Sequence, residues 1–277
     1  MAKTIVTHLS PDLDALGAVW LLKKFGPGFS DAGVAFVPIG KLWQRIKVDS
    51  IPEVAYVDVG QGKFDHHQRR EKTCAAKLVW QWIGEEKKSL KRDQALIRLV
   101  DLIGEIDHFG EYFWPDPAND RYELGPVALI NGLKVFRLGD DHLVDYGLTF
   151  LDAVYVNLKN KVKAEKELDR GKKFATPWGK AIGLLTRNDA VLKLGLKLGY
   201  KVVVRKDPKT GQVRIKSAPE DRIDLSGAFK KIKKLDPKAS WFLHIGKHQL
   251  LNASTRIPGS VPSRLSLDQV IEVLKKK

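Results

Sequence analysis

The sequence predicts an α/β protein, with an N-terminal parallel-sheet domain joined by a long helix to a smaller α/β domain. Three observations carry this. Short apolar runs, Thr4 to Thr7 and Val54 to Val57, end in imidazole or carboxylate residues and precede helical apolar patterns, the alternation that builds parallel sheets. Residues from about Asp141 to Lys173 keep one helical face, with Leu148, Leu151, Val154, Leu158 and Val162 along it. The charge then changes: residues 1–175 carry 26 Lys and Arg against 25 Asp and Glu, and residues 176–277 carry 22 against 8. The expected boundaries are 1–140 for the first domain, 141–175 for the connecting helix and 176–277 for the basic domain.

Taken in order, Thr4 to Thr7 is β-branched and reads as a buried first strand. His8-Leu9-Ser10-Pro11-Asp12-Leu13-Asp14 follows as a loop, and Ala15 to Leu22 as a mostly buried helix closed by Gly26-Pro27. Gly33 to Pro38 and Val54 to Asp58 are the next strands. A helix spans about Ala75 to Gly84. Another starts near Asp93, with Leu96, Leu99, Val100 and Ile103 on one face, and ends near Asp107. Phe113 to Pro126, with three prolines, reads as a loop. The long helix ends near Gly171. In the basic domain the order is strand (Ala181 to Thr186), helix (Asn188 to Gly199), strand (Tyr200 to Arg205), strand (Gln212 to Lys216), helix (Leu225 to Leu235) and strand (Ser240 to His244).

Composition narrows the function. A chain of 277 residues with 43% hydrophobic content can bury a real core. It has no apolar run of about 18 residues, so no membrane partner is expected. Cys74 is the single cysteine, which excludes an intramolecular disulfide, and the N-terminus has no signal-peptide pattern. A cytoplasmic location is expected. The net charge of +15 is concentrated after residue 175 and favours a polyanionic partner, although it would also serve solubility.

The stretch Val57-Asp58-Val59-Gly60-Gln61-Gly62-Lys63-Phe64-Asp65-His66-His67-Gln68 organises the rest. Its carboxylates and imidazoles are hard oxygen and borderline nitrogen donors, a set suited to Mn²⁺, Mg²⁺ or Zn²⁺. His8, Asp12 and Asp14 occupy a strand-to-helix loop, where ligands bind in open α/β sheets. Asp12 and Asp14 would serve equally as helix caps. Asp107 and His108 would serve equally as an ordinary helix end. Gly246-Lys247-His248 offers an open backbone and two basic side chains to a phosphate, or is a simple exposed turn.

Together, His8-x-x-x-Asp12-x-Asp14, Val57-Asp58-x-Gly60, Asp65-His66-His67 and Asp107 resemble the four motifs of the DHH phosphoesterase superfamily. They are most similar to its MYG-type exonuclease branch, alongside RecJ-type exonucleases and nanoRNases. The resemblance spans most of the chain. It departs at Gly246-Lys247-His248, which stands where the family often carries a run of glycines before His. It implies two divalent cations, Mn²⁺ or alternatively Mg²⁺. His8 and Asp12 would hold one, Asp14, His66 and Asp107 the other, and Asp58 would bridge them. Asp65 would orient an imidazole, and His67 would meet the phosphate or protonate the leaving oxygen. Arg69, Gly246, Lys247, His248 and Arg256 would contact substrate in a cleft between the domains. The expected activity is phosphodiester hydrolysis of short or single-stranded nucleic acid, in particular RNA oligonucleotides. The alternatives are hydrolysis of a nucleotide, cyclic dinucleotide or pyrophosphate, and non-catalytic nucleic-acid binding. A homodimer is compatible with any of these.

Overall fold

In the computed structural model, which describes residues 3–275, β1 (Thr4–His8) is the central strand of a parallel sheet. β2 (Gly33–Val37) pairs on one side, Thr4 opposite Gly33, and β3 (Val54–Tyr56) on the other, Thr4 opposite Val54. Ile5, Val6 and Thr7 are fully buried, as a strand covered on both faces requires. β3 is shorter than the run Val54 to Asp58 suggests. Val57 makes a last bond to β1, donating to Val6 O at 2.8 Å, and an isolated bridge to Phe64, and Asp58 turns to a left-handed φ of 54°. The ladder breaks there, and the chain carries Asp58 out over the end of the sheet.

Helix α1 (Leu13–Phe25) is buried without interruption from Leu13 to Leu22. It packs against α2 (Ala75–Glu86) and α3 (Gln94–Asp107) as well as β1. The close approach depends on Gly17, where a Cβ would stand 2.8 Å from Ile103 Cδ1 and 3.3 Å from Ala76 Cβ. The segment read as a loop from Phe113 to Pro126 gives way to a further helix, α4 (Pro126–Val135), with Pro126 in its first turn, where proline's missing N–H costs nothing.

The long helix, α5, runs Asp140–Asp169. Two compact units, Met1–Lys159 and Asn160–Lys277, divide within it. In the first unit Tyr155 packs edge-on against Trp20 and Phe25 of α1, and its hydroxyl donates to Asp93 Oδ2 at 2.6 Å. The helix stops before the expected Lys173. Lys172 already starts β4 (Lys172–Thr176), an edge strand antiparallel to β5 (Gly179–Leu185).

The second unit continues with α6 (Ala190–Lys197), β6 (Val202–Lys206), β7 (Val213–Ser217), α7 (Ser226–Leu235), β8 (Trp241–Leu243), β9 (Gln249–Asn252) and α8 (Leu267–Lys275). Its six-stranded sheet has the order β4-β5-β6-β7-β9-β8, and β5 and β6 are its parallel pair. The expected strand–helix–strand–strand–helix–strand series is present from β5 to β8, extended by β4, β9 and α8. One face packs Val204, Ile215 and Leu250 with residues of α7 and α8. The other packs Ile182, Leu184 and Val203 with α6 and with Ala164 and Leu168 of α5. Among the described residues no helix is long and apolar enough to cross a membrane.

Candidate metal centre

The C-terminal ends of β1 and β3, the loop after β3, the start of α1 and the end of α3 bring seven of the predicted residues to one place. Three groups of donors form there, each within 4.8 Å: His8, Asp12 and Asp58; Asp14, His66 and Asp107; and Asp58, His66 and His67. Asp58 belongs to two groups and His66 to two. The carboxylate of Asp58 divides its oxygens: Oδ2 lies 3.3 Å from His8 Nε2, and Oδ1 lies 3.7 Å from His66 Nε2 and 3.8 Å from His67 Nδ1.

Each member is held by a local cause. Asp12 is the N-cap of α1, and its Oδ1 accepts from the backbone N–H of Asp14 and of Ala15, both at 3.0 Å. Capping and donating to the cluster therefore coexist in one side chain. Asp14 is 2% exposed and caps another helix: its oxygens accept from Ala75 N at 2.6 Å and Ala76 N at 2.9 Å, the first amides of α2. Cys74, the residue in the N-cap position of α2, makes no side-chain cap of its own. Asp107 is the last residue of α3, with Oδ2 3.5 Å from His66 Nδ1. His8 and His66 stand against the carbonyls of Leu9 (2.8 Å) and Thr73 (2.9 Å) through Nδ1, which assigns a proton to Nδ1 and directs Nε2 toward Asp58.

Asp65 belongs to none of the donor groups but borders one through His67. It accepts from Gln61 N at 2.7 Å, His67 N at 3.0 Å and His67 Nδ1 at 2.8 Å. The imidazole it orients is thus that of His67, whose ring is 62% exposed. The turn that makes this possible needs Gly60, whose φ is +85° and where a Cβ would stand 2.9 Å from Val48 Cγ2.

The electrostatics follow from burial. Burial raises the carboxyls of Asp14, Asp58 and Asp107 above the usual carboxylate range, and the carboxylates raise one another further. The hydrogen bond that His8 Nε2 donates to Asp58 raises its imidazole to about 9. At Asp65 burial acts upward, but the bonds from His67 and Gln61 prevail and lower it. Asp58 is 4% exposed, and its Oδ1 has no hydrogen-bond partner among the described residues. A buried carboxylate oxygen left bare, 3.7 Å from the Nε2 of His66, fits a cation and little else.

The other predicted contacts are more scattered. Arg69 turns its guanidinium onto the carbonyls of Asp65 and Lys63 and the carboxylate of Glu71. In the second unit, Gly246, Lys247 and His248 form the β8–β9 turn. There Lys247 Nζ lies 3.1 Å from Asp224, and His248 Nδ1 lies 3.1 Å from Ser217 Oγ. Arg256 follows β9 at the opposite end of that hairpin, so the geometry separates it from the turn. Two features were missed in the sequence. A cavity of about 570 Å³ over the donor groups has Ile39, Gly40, Lys41 and Leu42 as one wall, the loop after β2. His108, read only as part of an ordinary helix end, lies 3.4 Å from Asp107 and meets the ring of His66 edge-on, with centroids 6.2 Å apart. The position of the β2 loop at the carboxyl edge of a parallel sheet was the available signal for the first.

No family model matches the chain, and neither does any curated protein. Solved structures do. A RecJ from Thermus thermophilus in complex with Mg²⁺ is 16% identical, with a TM-score of 0.29 over 99% of this chain and 54% of the other, so the chain spans about half of that protein's length. An exonuclease RecJ bound to manganese is 14% identical, with a TM-score of 0.34 over 99% and 89%. The DHH domain of a member of the s1p family of ribosomal proteins is 12% identical, with a TM-score of 0.30 over 98% and 85%. At such low identity, the chemistry rests on the constellation of His8, Asp12, Asp14, Asp58, His66 and Asp107 itself, and its four motifs resemble those of the DHH phosphoesterase superfamily.

Proposed function

We propose that the chain is a DHH-type, metal-dependent phosphoesterase that hydrolyses short or single-stranded nucleic acid. The observation that carries this is Asp58: a buried carboxylate whose two oxygens face separate donor groups, one of them unpartnered. His8, Asp12 and Asp58 would hold one divalent cation, and Asp14, His66, Asp107 and Asp58 a second. Mn²⁺ or Mg²⁺ suits this carboxylate-rich set better than a thiophilic ion. Bound divalent cations supply Lewis-acid stabilisation of charge developing on phosphoryl oxygens and a lowered pKa for water.

The chain's own groups supply the rest. Asp65 accepts the Nδ1 proton of His67 and fixes the ring, leaving Nε2 on the exposed side to meet a phosphate oxygen or give a proton to the leaving alkoxide. Burial acts to lower His67, but the hydrogen bond to Asp65 and the charges of Asp58, Asp65 and Asp107 together raise it, which favours the protonated acid form. Asp14 holds the end of α2 against the cluster, so the donors are fixed before substrate arrives. Lys41 on the opposite wall is placed to meet a substrate phosphate. The basic residues 176–277 favour a polyanion over a small ester.

A cavity of about 570 Å³ also suits a small phosphorylated compound, which keeps a nucleotide, cyclic dinucleotide or pyrophosphate as the second reading. The test is Mn²⁺-dependent hydrolysis of a 5′-labelled RNA five-mer, a matched DNA five-mer and pyrophosphate, by wild type and Asp58→Ala, with EDTA controls. Release of mononucleotides by wild type, reduced more than about a hundredfold in the variant, is expected. Turnover of pyrophosphate alone would favour the second reading. Absence of both turnover and calorimetric metal binding would leave a non-catalytic binder.

A further inference from the structure

Half of one face of the second unit's sheet lies open. On that face α6 and the end of α5 cover β5 and β6. The cross-strand register continues the same face onto the other strands: Arg205 pairs with Arg214, Arg214 with Leu251, and Leu251 with Phe242. Cross-strand partners share a face, so Arg214, Leu251 and Phe242 form one row, and Lys216, two residues along β7, stands beside it. α7 and α8 pack on the opposite face.

The open row has an unusual make-up for a sheet. Phe242 is 55% exposed. Arg214 and Lys216 are half-buried and roughly 6.8 Å apart along the strand, a spacing an extended phosphate backbone can follow. At the end of β9 the following loop adds exposed Arg256, and these elements enclose a cavity of about 690 Å³. Beside the row, on β6, lies Arg205, 4% exposed. It meets Asp189 at 2.6 Å and Asp207 at 3.9 Å, yet its Nε and Nη1 have no hydrogen-bond partner among the described residues. Asp189 also faces Arg214, at 3.7 Å, so two carboxylates answer two guanidiniums, and Lys216 and Arg256 leave the surface an excess of positive charge. A face meant for another protein's core would not be lined by Arg and Lys around a single exposed ring. A sheet that offers a stacking ring flanked by cations suits a single strand.

We propose that this open half-face binds single-stranded nucleic acid, with a base stacked on Phe242 and phosphates met by Lys216, Arg214 and Arg256. The face belongs to the second unit and the metal centre to the first, and only the claim that this strand is the substrate rests on the preceding reading.

The test is fluorescence anisotropy of a labelled single-stranded RNA ten-mer and its DNA equivalent with the 277-residue chain in EDTA, titrated against salt. Phe242→Ala should weaken binding about tenfold. Lys216→Ala and Arg214→Gln should each reduce the log–log salt slope by about 0.7, the share of one phosphate on a single strand. Lys234→Ala, an exposed lysine of α7 on the opposite face, and Asp58→Ala should bind as wild type does. Circular dichroism melts of all five variants separate loss of contact from loss of fold. Unchanged affinity and salt slope in the folded Phe242, Lys216 and Arg214 variants would overturn the proposal, as would failure of wild type to bind either strand. Loss of hydrolysis in Asp58→Ala with these three variants unaltered would leave the phosphoesterase reading standing and this surface refuted. Binding lost in the three, with no hydrolysis by wild type, would do the reverse.

Discussion

Replacing Asp58 with Asn tests the centre with little disturbance of the fold. Asn keeps the shape of Asp and enters the left-handed region as readily, so the φ of 54° at this position adds no backbone penalty. What changes is the charge on a side chain shared by two of the three donor groups. A divalent cation present at about 100 times its Kd stabilises the folded state by about 2.7 kcal/mol. For a unit the size of Met1–Lys159, each kcal/mol is worth about 2–4 °C, so Mn²⁺ should raise the melting temperature of wild type by roughly 5–11 °C. Removing a ligand costs at least the roughly hundredfold that supporting residues cost, and the same Mn²⁺ concentration would then supply only about 0.4 kcal/mol. Differential scanning calorimetry in EDTA and in Mn²⁺ should therefore show a shift below about 2 °C for Asp58→Asn. An undiminished shift in the variant would refute the reasoning, because Asp58 would then not be a ligand.

Three further outcomes are expected. In EDTA, the first unit should lose stability as pH rises from about 4, where unfolded carboxylates titrate, to about 9, where folded His8 does. Burial raises Asp14, Asp58 and Asp107 above the carboxylate range, and Asp58 raises His8 to about 9, so each binds its proton more tightly when folded. That stabilisation is complete below the unfolded values and is lost as pH rises through the folded ones, which melting curves across that range would show, with a flatter profile in Asp58→Asn. Asp65→Ala releases the ring of His67 and leaves the amides of Gln61 and His67 unpaired, so kcat should fall about 10–100-fold with little change in KM, and Asp65→Asn should recover part of it; steady-state kinetics on the RNA five-mer would decide. Tyr155→Phe removes the bond to Asp93 and should cost about 1 kcal/mol, or about 2–4 °C of melting temperature, with Mn²⁺ affinity unchanged by titration calorimetry.

Much of the centre was legible because its residues sit at positions that periodicity fixes. His8 ends a β-branched run, and Asp107 ends a helix whose face Leu96, Leu99, Val100 and Ile103 announce. Asp12 was ambiguous between cap and donor because both roles draw on the same carboxylate. The role of Asp14 as a cap for α2 could not be read, since it links residues 61 and 62 apart in sequence through tertiary packing alone. β4 was taken for the tail of α5 because Lys172 and Lys173 continue a Lys- and Glu-rich stretch, and only pairing with β5 decides for strand. α4 was hidden by Pro126 at its start and by Gly132 within it, which weaken a helical pattern without forbidding it. Arg69 was given to substrate on its place in a motif, whereas nearby carbonyls already occupy its guanidinium.

The cap that Asp14 places on α2 ties the order of assembly to the chemistry. α2 cannot satisfy its first amides until α1 has docked, and once docked the same carboxylate is committed to the edge of the donor cluster. Fraying of α2 and dispersal of the cluster are consequently a single opening event. The amide protons of Ala75 and Ala76 are then a built-in gauge: their exchange with solvent deuterium reports whether the ligands stand together, without any substrate being turned over.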